Sequence, residues 1–278
     1  MTSSAYYFTD VTILSKAAGI FGKHTDYEKY TALAVKIKNA INTRYLNKES
    51  AVYGQGLQTE LCVALQWGLV PEDLKSRVAE NLARSVVANY NHMDVGLLGS
   101  KAILNALSEN GYFDLAYTLA AQTTFPSWGW WIVNGATTLY ENWPLDTNSD
   151  ISMNHIMFGE IGAWMFKGLG GIFPDEENPG FRNVILKPHF VKGLDHFEAK
   201  HEGPFGTIVS SWKKDGEKVV YKVIIPANST ATLNLNATDI LENDKRLSEN
   251  KYIRTIKNKE GYYTLYLKSG TFLFTARN

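Results

Sequence analysis

The spacing of apolar residues changes near residue 170. Before that point they recur at three- and four-residue steps, most clearly at Tyr30, Leu33, Ala34, Ile37 and Ile41, which places them on one face of a helix. Thr25 with Glu28 has the form of a capping box at the start of that helix,. Pro71 suits the first turn of another, which continues through Leu74, Val78, Leu82 and Val86,. Further helices are expected at about 4–21, 57–67, 96–109, 112–122 and 154–168. The short loops between them are those of stacked antiparallel helix hairpins.

After Gly170-Gly171 and the loop from Pro174 to Gly180, short β-rich runs alternate with turn residues. Thr207–Lys213 and Lys218–Ile225 flank Asp215-Gly216, a hairpin signal because both turn residues tolerate positive φ. Tyr252–Ile256 and Tyr262–Leu267 flank a second turn at Glu260-Gly261. The expected organisation is a mainly α domain over 1–172 and an antiparallel β-sandwich over 173–278.

Composition narrows the function classes. Lys+Arg and Asp+Glu are both 28 and the charge is balanced, so no basic stripe suggests nucleic acid or an anionic membrane surface. No apolar run reaches the roughly 18 residues of a membrane span. The N-terminus lacks the basic and apolar regions of a signal peptide. Localisation is therefore open, with a periplasmic or secreted full-length protein as the expectation. The single cysteine, Cys62, sits in the apolar run Leu61–Leu65 and reads as a buried thiol. Gly-x-Ser-x-Gly, P-loop and dinucleotide-binding motifs are missing, so neither a serine nucleophile nor a nucleotide cofactor is expected. No histidine, cysteine or carboxylate stands at metal-ligand spacing from His155, and no cofactor or metal is expected.

The chemistry concentrates in one stretch. Trp128, Trp130, Trp131 and Trp143 fall within sixteen residues, with Glu141 among them and His155 just beyond. Indole faces stack on sugar rings, although core packing accounts for tryptophans equally well. Glu141 lies between Tyr140 and Trp143 and is the carboxylate singled out; capping or surface exposure is the alternative. His155 reads on its own as a helix-start or core histidine, and Glu160 as a solvated or salt-bridged helix residue.

Phe125-Pro-Ser-Trp-Gly-Trp-Trp131, then Gly135-Ala-Thr-Thr-Leu-Tyr-Glu141-Asn-Trp143 and Ser152-Met-Asn-His155, resemble the bacterial α-L-rhamnosidases. The resemblance extends upstream to Tyr53–Thr59 and His92–Gly99. Downstream it takes in Gly180–Pro188, Gly203–Gly206 and Ile225–Thr230. It implies the C-terminal part of an (α/α)6 barrel of helix hairpins followed by a β-sandwich, acting on a rhamnose-containing oligosaccharide or glycoside. It also implies inverting hydrolysis of terminal α-L-rhamnosides, with Glu141 as general base. His155 corresponds to a sugar-contacting residue, and Trp128, Trp131 and Trp143 to pocket walls. The family often has Trp before the base and Arg after it, where this chain has Tyr140 and Asn142. The general acid belongs to a family motif further upstream, and neither Glu60 nor Asp94 sits in a matching motif. The expectation is a chain lacking the acid, inactive alone, and prone to self-association in place of its missing N-terminal barrel half. The alternatives are a non-catalytic carbohydrate-binding module and another α/α-barrel glycosidase or lyase.

Overall fold

A computed structural model describes residues 1–145, 150–257 and 262–277. The chain separates into two compact units, Met1–Ile161 and Gly162–Asn278.

The first unit is built of helix pairs. Helix α1 (Thr2–Ile20) pairs with α2 (His24–Tyr45), and a small hairpin of β1 (Leu46–Asn47) and β2 (Val52–Tyr53) follows. Helix α3 (Gln58–Gln66) packs against α4 (Lys75–Ala88) and α5 (Leu97–Glu109), and α5 packs on α6 (Phe113–Ala120). Two short helices, α7 (Trp128–Val133) and α8 (Glu160–Trp164), come after. The apolar steps on α4 bury Val78, Leu82 and Val86, as their spacing predicts. Cys62 is fully buried between α3 and α5, its Sγ 3.6 Å from Gly99 O, and burial pushes its thiol pKa up. Glycine at 99 allows the close approach, because a Cβ there would lie 2.6 Å from Thr59 Oγ1.

Two local expectations change. The box at Thr25 and Glu28 does not form: α2 starts at His24 with Lys23 as its N-cap and no side-chain cap. Half of such a box occurs instead at α3, where Glu60 Oε2 accepts from the backbone N–H groups of Gln55 and Leu57 at 2.9 and 3.2 Å, while the N-cap Leu57 has no side-chain acceptor. The single helix expected at 154–168 is broken into a 3-10 turn at Ile156–Phe158, then α8, then a π turn at Met165–Leu169. Gly159, Gly162 and Gly168 punctuate it, and glycines weaken helix continuity.

The second unit is a two-sheet sandwich. Its strands are β3 (Ile172–Pro174), β4 (Asn183–Leu186), β5 (His196–Gly203), β6 (Gly206–Asp215), β7 (Lys218–Ile225), β8 (Thr230–Asn236), β9 (Asp239–Glu242), β10 (Lys245–Arg246), β11 (Ile253–Lys257), β12 (Tyr262–Leu267) and β13 (Gly270–Arg277). One sheet has the order β10-β9-β13-β7-β6-β5 and the other β11-β12-β8-β4-β3. All pairs are antiparallel except β4 with β8, which run parallel. The second expected turn, Glu260-Gly261, lies outside the described residues. On β7 the alternation is strict, with Val219, Tyr221, Val223 and Ile225 facing inward. Trp212, buried among them, donates from Nε1 to Leu169 O at 2.9 Å. At Gly171 φ is +66° and a Cβ would lie 2.2 Å from the Lys187 carbonyl carbon, so only glycine fits,.

Candidate active site

The three motif stretches of the first unit converge. Buried Gln58 at the start of α3 clamps the loop before α5: its Nε2 donates to His92 O at 3.2 Å, and its Oε1 accepts from Asp94 N at 2.8 Å. One residue further along that loop, Val95 O receives Trp143 Nε1 at 2.7 Å. The Phe125-Pro126 peptide is cis. Helix α7 then starts at a proper cap, Ser127 Oγ accepting from Trp130 N at 2.9 Å,. Gly129 is obligatory there, since a Cβ would sit 2.2 Å from Gln122 O.

Trp128, Trp131 and Trp143 form a buried cluster, with 4%, 1% and 6% of their surface exposed. Trp131 and Trp143 stack with centroids 4.8 Å apart, Trp128 meets Trp143 edge-on at 5.4 Å, and Phe158 packs on Trp143 at 4.3 Å. Each indole N–H has a backbone acceptor: Phe158 O for Trp128, Trp143 O for Trp131 and Val95 O for Trp143. Fully packed indoles with satisfied donors hold a loop firmly. Trp130 is only partly buried and meets Phe125 edge-on.

Glu141 and His155 sit on two strands of loop zipped together above this cluster. Glu141 N donates to Ser152 O at 2.9 Å, and His155 N to Leu139 O at 2.7 Å. Thr138 Oγ1 adds a bond to Met153 O. The Glu141 carboxylate is itself tethered, because Ser152 N donates to Oε2 at 2.9 Å, and both residues are partly buried. His155 Nδ1 accepts from Met157 N at 3.2 Å. In a neutral ring that leaves the proton on Nε2, which then acts as a donor. Asp146 and the rest of 146–149, between Glu141 and His155, lie outside the described residues.

Beside the turn after His155 is a cavity of about 570 Å³ lined by Tyr6, Leu98, Lys101, Ile156, Met157 and Glu160. Glu160, partly exposed on α8, takes Asn105 Nδ2 at 2.9 Å. Tyr6 has a raised pKa, from burial first and from the charge of Glu160 second. Tyr6 and Lys101 were not singled out in the sequence. Tyr6 lies far along the chain from the tryptophan-rich stretch, and only the fold brings it, on α1, and Lys101, on α5, to the same cavity. Among the described residues no group of three His, Cys, Asp or Glu side chains could hold a metal ion, and no helix is long and apolar enough to cross a membrane.

Paired helices carrying a carboxylate and an imidazole beside packed indoles, with a β-sandwich after them, make a class of protein in which a helical domain bears the site and a β domain follows. Residues 1–169 match the family described as bacterial alpha-L-rhamnosidase 6 hairpin glycosidase domain, and 171–248 match the bacterial alpha-L-rhamnosidase C-terminal domain. The chain therefore belongs to the bacterial α-L-rhamnosidase family. It is 27% identical over its whole length to an alpha-L-rhamnosidase of Formosa agariphila, and 30% identical over 82% of its length to one of Streptomyces avermitilis. It spans 31% and 22% of those relatives. Two solved structures superpose on 99% of the chain. The alpha-L-rhamnosidase of Dictyoglumus thermophilum gives a TM-score of 0.89 at 31% identity, over 31% of its own chain. That of Streptomyces avermitilis, complexed with L-rhamnose, gives 0.87 at 26% identity, over 26% of its own chain.

Proposed function

We propose that this chain takes part in hydrolysing terminal non-reducing α-L-rhamnosides with inversion, and that Glu141 is the general base. The observation that carries this reading is the tethered carboxylate: Ser152 N–H fixes Oε2, so the group is aimed before substrate arrives. Glu141 takes a proton from water, the water oxygen bonds to the anomeric carbon, and the glycosidic C–O bond breaks on the opposite face. A general acid protonates the departing oxygen, from a position roughly 6.5–9.5 Å from the base so that the water fits between them. His155 donates Nε2–H to a sugar hydroxyl. Trp128, Trp131 and Trp143, buried with their N–H groups on backbone carbonyls, support the site from behind in place of lining it as pocket walls.

The acid is assigned to none of the nearby carboxylates. Glu60 is engaged by two backbone N–H groups and Glu160 by Asn105. The chain alone is accordingly expected to hydrolyse rhamnosides weakly or not at all. Exposed Tyr7, Ile13, Leu14, Ile20 and Phe21 on and after α1 favour its self-association, which light scattering reads directly; a strict monomer would contradict it.

The test joins this chain to the segment that precedes the matching region in the Formosa agariphila relative and follows an aryl α-L-rhamnoside by NMR. The expected first product is β-L-rhamnose, and Glu141→Gln abolishes its formation. Appearance of α-L-rhamnose first, or full activity of Glu141→Gln, would refute the assignment.

A further inference from the structure

The outer face of the five-stranded sheet carries a built row of aromatic, amide and cationic side chains that rhamnoside hydrolysis does not use. In the antiparallel register Arg254 lies opposite Tyr266, and Tyr266 opposite Thr232. Two steps along, Thr264 faces Asn234, and two steps further Tyr262 faces Asn236. The alternate positions, Tyr263, Leu265 and Leu267, point into the core. Tyr262 and Tyr266 therefore stand on one face, separated by four residue steps, roughly 13 Å along the strand. Both are well exposed, at 39% and 37%.

A cavity lies at each end of this row. One, of about 340 Å³, is bordered by Asn183, Lys251, Tyr252, Arg254, Tyr266 and Lys268. The other, of about 240 Å³, is bordered by His189, Asn234, Asn236 and Tyr262. The first is cationic and its cations are pre-positioned. The Arg254 guanidinium lies 4.5 Å from the Tyr266 ring centroid, and Lys251 Nζ lies 5.3 Å from that of Tyr252. The carboxylate closest in the bonding network, Asp175, is turned to amides, accepting from Asn178 and Asn183 at 2.9 Å each. Cross-strand pairs of this kind also stabilise sheets. A structural role accounts for the bond from Thr264 Oγ1 to Asn234 Oδ1 at 3.0 Å but does not call for a cavity at both ends.

We propose that this face binds a short oligosaccharide chain carrying an anionic sugar. Tyr262 and Tyr266 stack on the rings, Asn234 and Asn236 meet hydroxyls, and Arg254 with Lys268 and Lys251 receives the acidic group. Arginine held over a ring offers parallel N–H donors suited to a carboxylate or sulfate. This site is independent of the Glu141 reading, since it needs neither turnover nor rhamnose.

The experiment titrates the full chain calorimetrically with four probes: a tetragalacturonate, a sulfated tetrasaccharide, a neutral xylotetraose and inorganic sulfate. At least one acidic saccharide is expected to bind tenfold or more tighter than the neutral one and than sulfate. Preference for the uronate or for the sulfated sugar tells which anion is read. Arg254→Ala with Lys268→Ala should weaken binding at least tenfold and Tyr262→Ala severalfold. Lys218→Ala, on the other sheet, should leave it unchanged. If the double variant fails to fold, Arg254→Gln, which keeps a side chain over the ring, carries the same comparison. No binding, equal binding of xylotetraose, equal binding of inorganic sulfate, or binding unaffected by Arg254 variants would overturn the proposal.

Discussion

Truncating Trp143 tests whether the indole cluster is what holds the Glu141 loop. Its ring is 6% exposed, stacks on Trp131 at 4.8 Å and packs on Phe158 at 4.3 Å, and its N–H satisfies Val95 O, 48 residues upstream. Trp143→Ala removes the buried ring, for which large-to-small core changes cost about 3–5 kcal/mol. It also strands a buried carbonyl, adding about 1–3 kcal/mol before relaxation. A combined loss of about 4–8 kcal/mol before relaxation is a large share of the roughly 5–15 kcal/mol that stabilises a typical domain. Trp143→Phe keeps much of the packing but not the donor, so its cost should be near the hydrogen-bond part alone, about 1–3 kcal/mol. Urea unfolding followed by tryptophan fluorescence reads both. If Trp143→Ala costs under about 1 kcal/mol, or Trp143→Phe costs as much as Trp143→Ala, the cluster does not hold the loop in the way described.

Two further perturbations address the second unit. Gly171→Ala forces a Cβ to within 2.2 Å of backbone at φ +66°; a loss of about 2–4 kcal/mol is expected from combined strain and overpacking, and an unchanged thermal melt would refute the close approach. His189 has its pKa lowered from 6.5 to about 3, by burial first and by Lys187 second. Its folded form thus binds fewer protons than its unfolded form between those values. Its contribution is fully present above about pH 6.5 and is lost as pH falls toward 3, by at most about 1.4 kcal/mol per unit. Replacing it with Gln should flatten that part of the stability profile measured by denaturant titration, and an unaltered slope would contradict the burial.

Much of the fold is legible in the sequence because its signals are local. The period of α2 and α4 and the alternation on β7 follow from which side chains need burial, whatever packs against them. Cap chemistry is less secure. Thr25 and Glu28 have the right spacing, but α2 already starts at His24, so Thr25 is inside the helix and is not its N-cap. The parallel pairing of β4 with β8 joins residues 183–186 to 230–233, and nothing in either strand specifies that crossover. The same holds at the site. Glu141 and His155 stand out by residue type and context. The hidden state of the tryptophans depends on acceptors as remote as Val95, and the Nε2–H tautomer of His155 on one backbone bond from Met157. Tyr6 and Lys101 gain their place only when α1 and α5 meet the turn after His155.

The most direct test of the central claim replaces Glu141 with Ala in the chain joined to the preceding segment of the Formosa agariphila relative and measures aryl rhamnoside cleavage with and without azide. Loss of a general base should lower the rate by about 10²–10⁴-fold. Added azide, a nucleophile that needs no deprotonation, should restore cleavage and give rhamnosyl azide inverted at the anomeric carbon. A variant that stays active, or one that azide rescues with retained configuration, would contradict the assignment of Glu141 as the base.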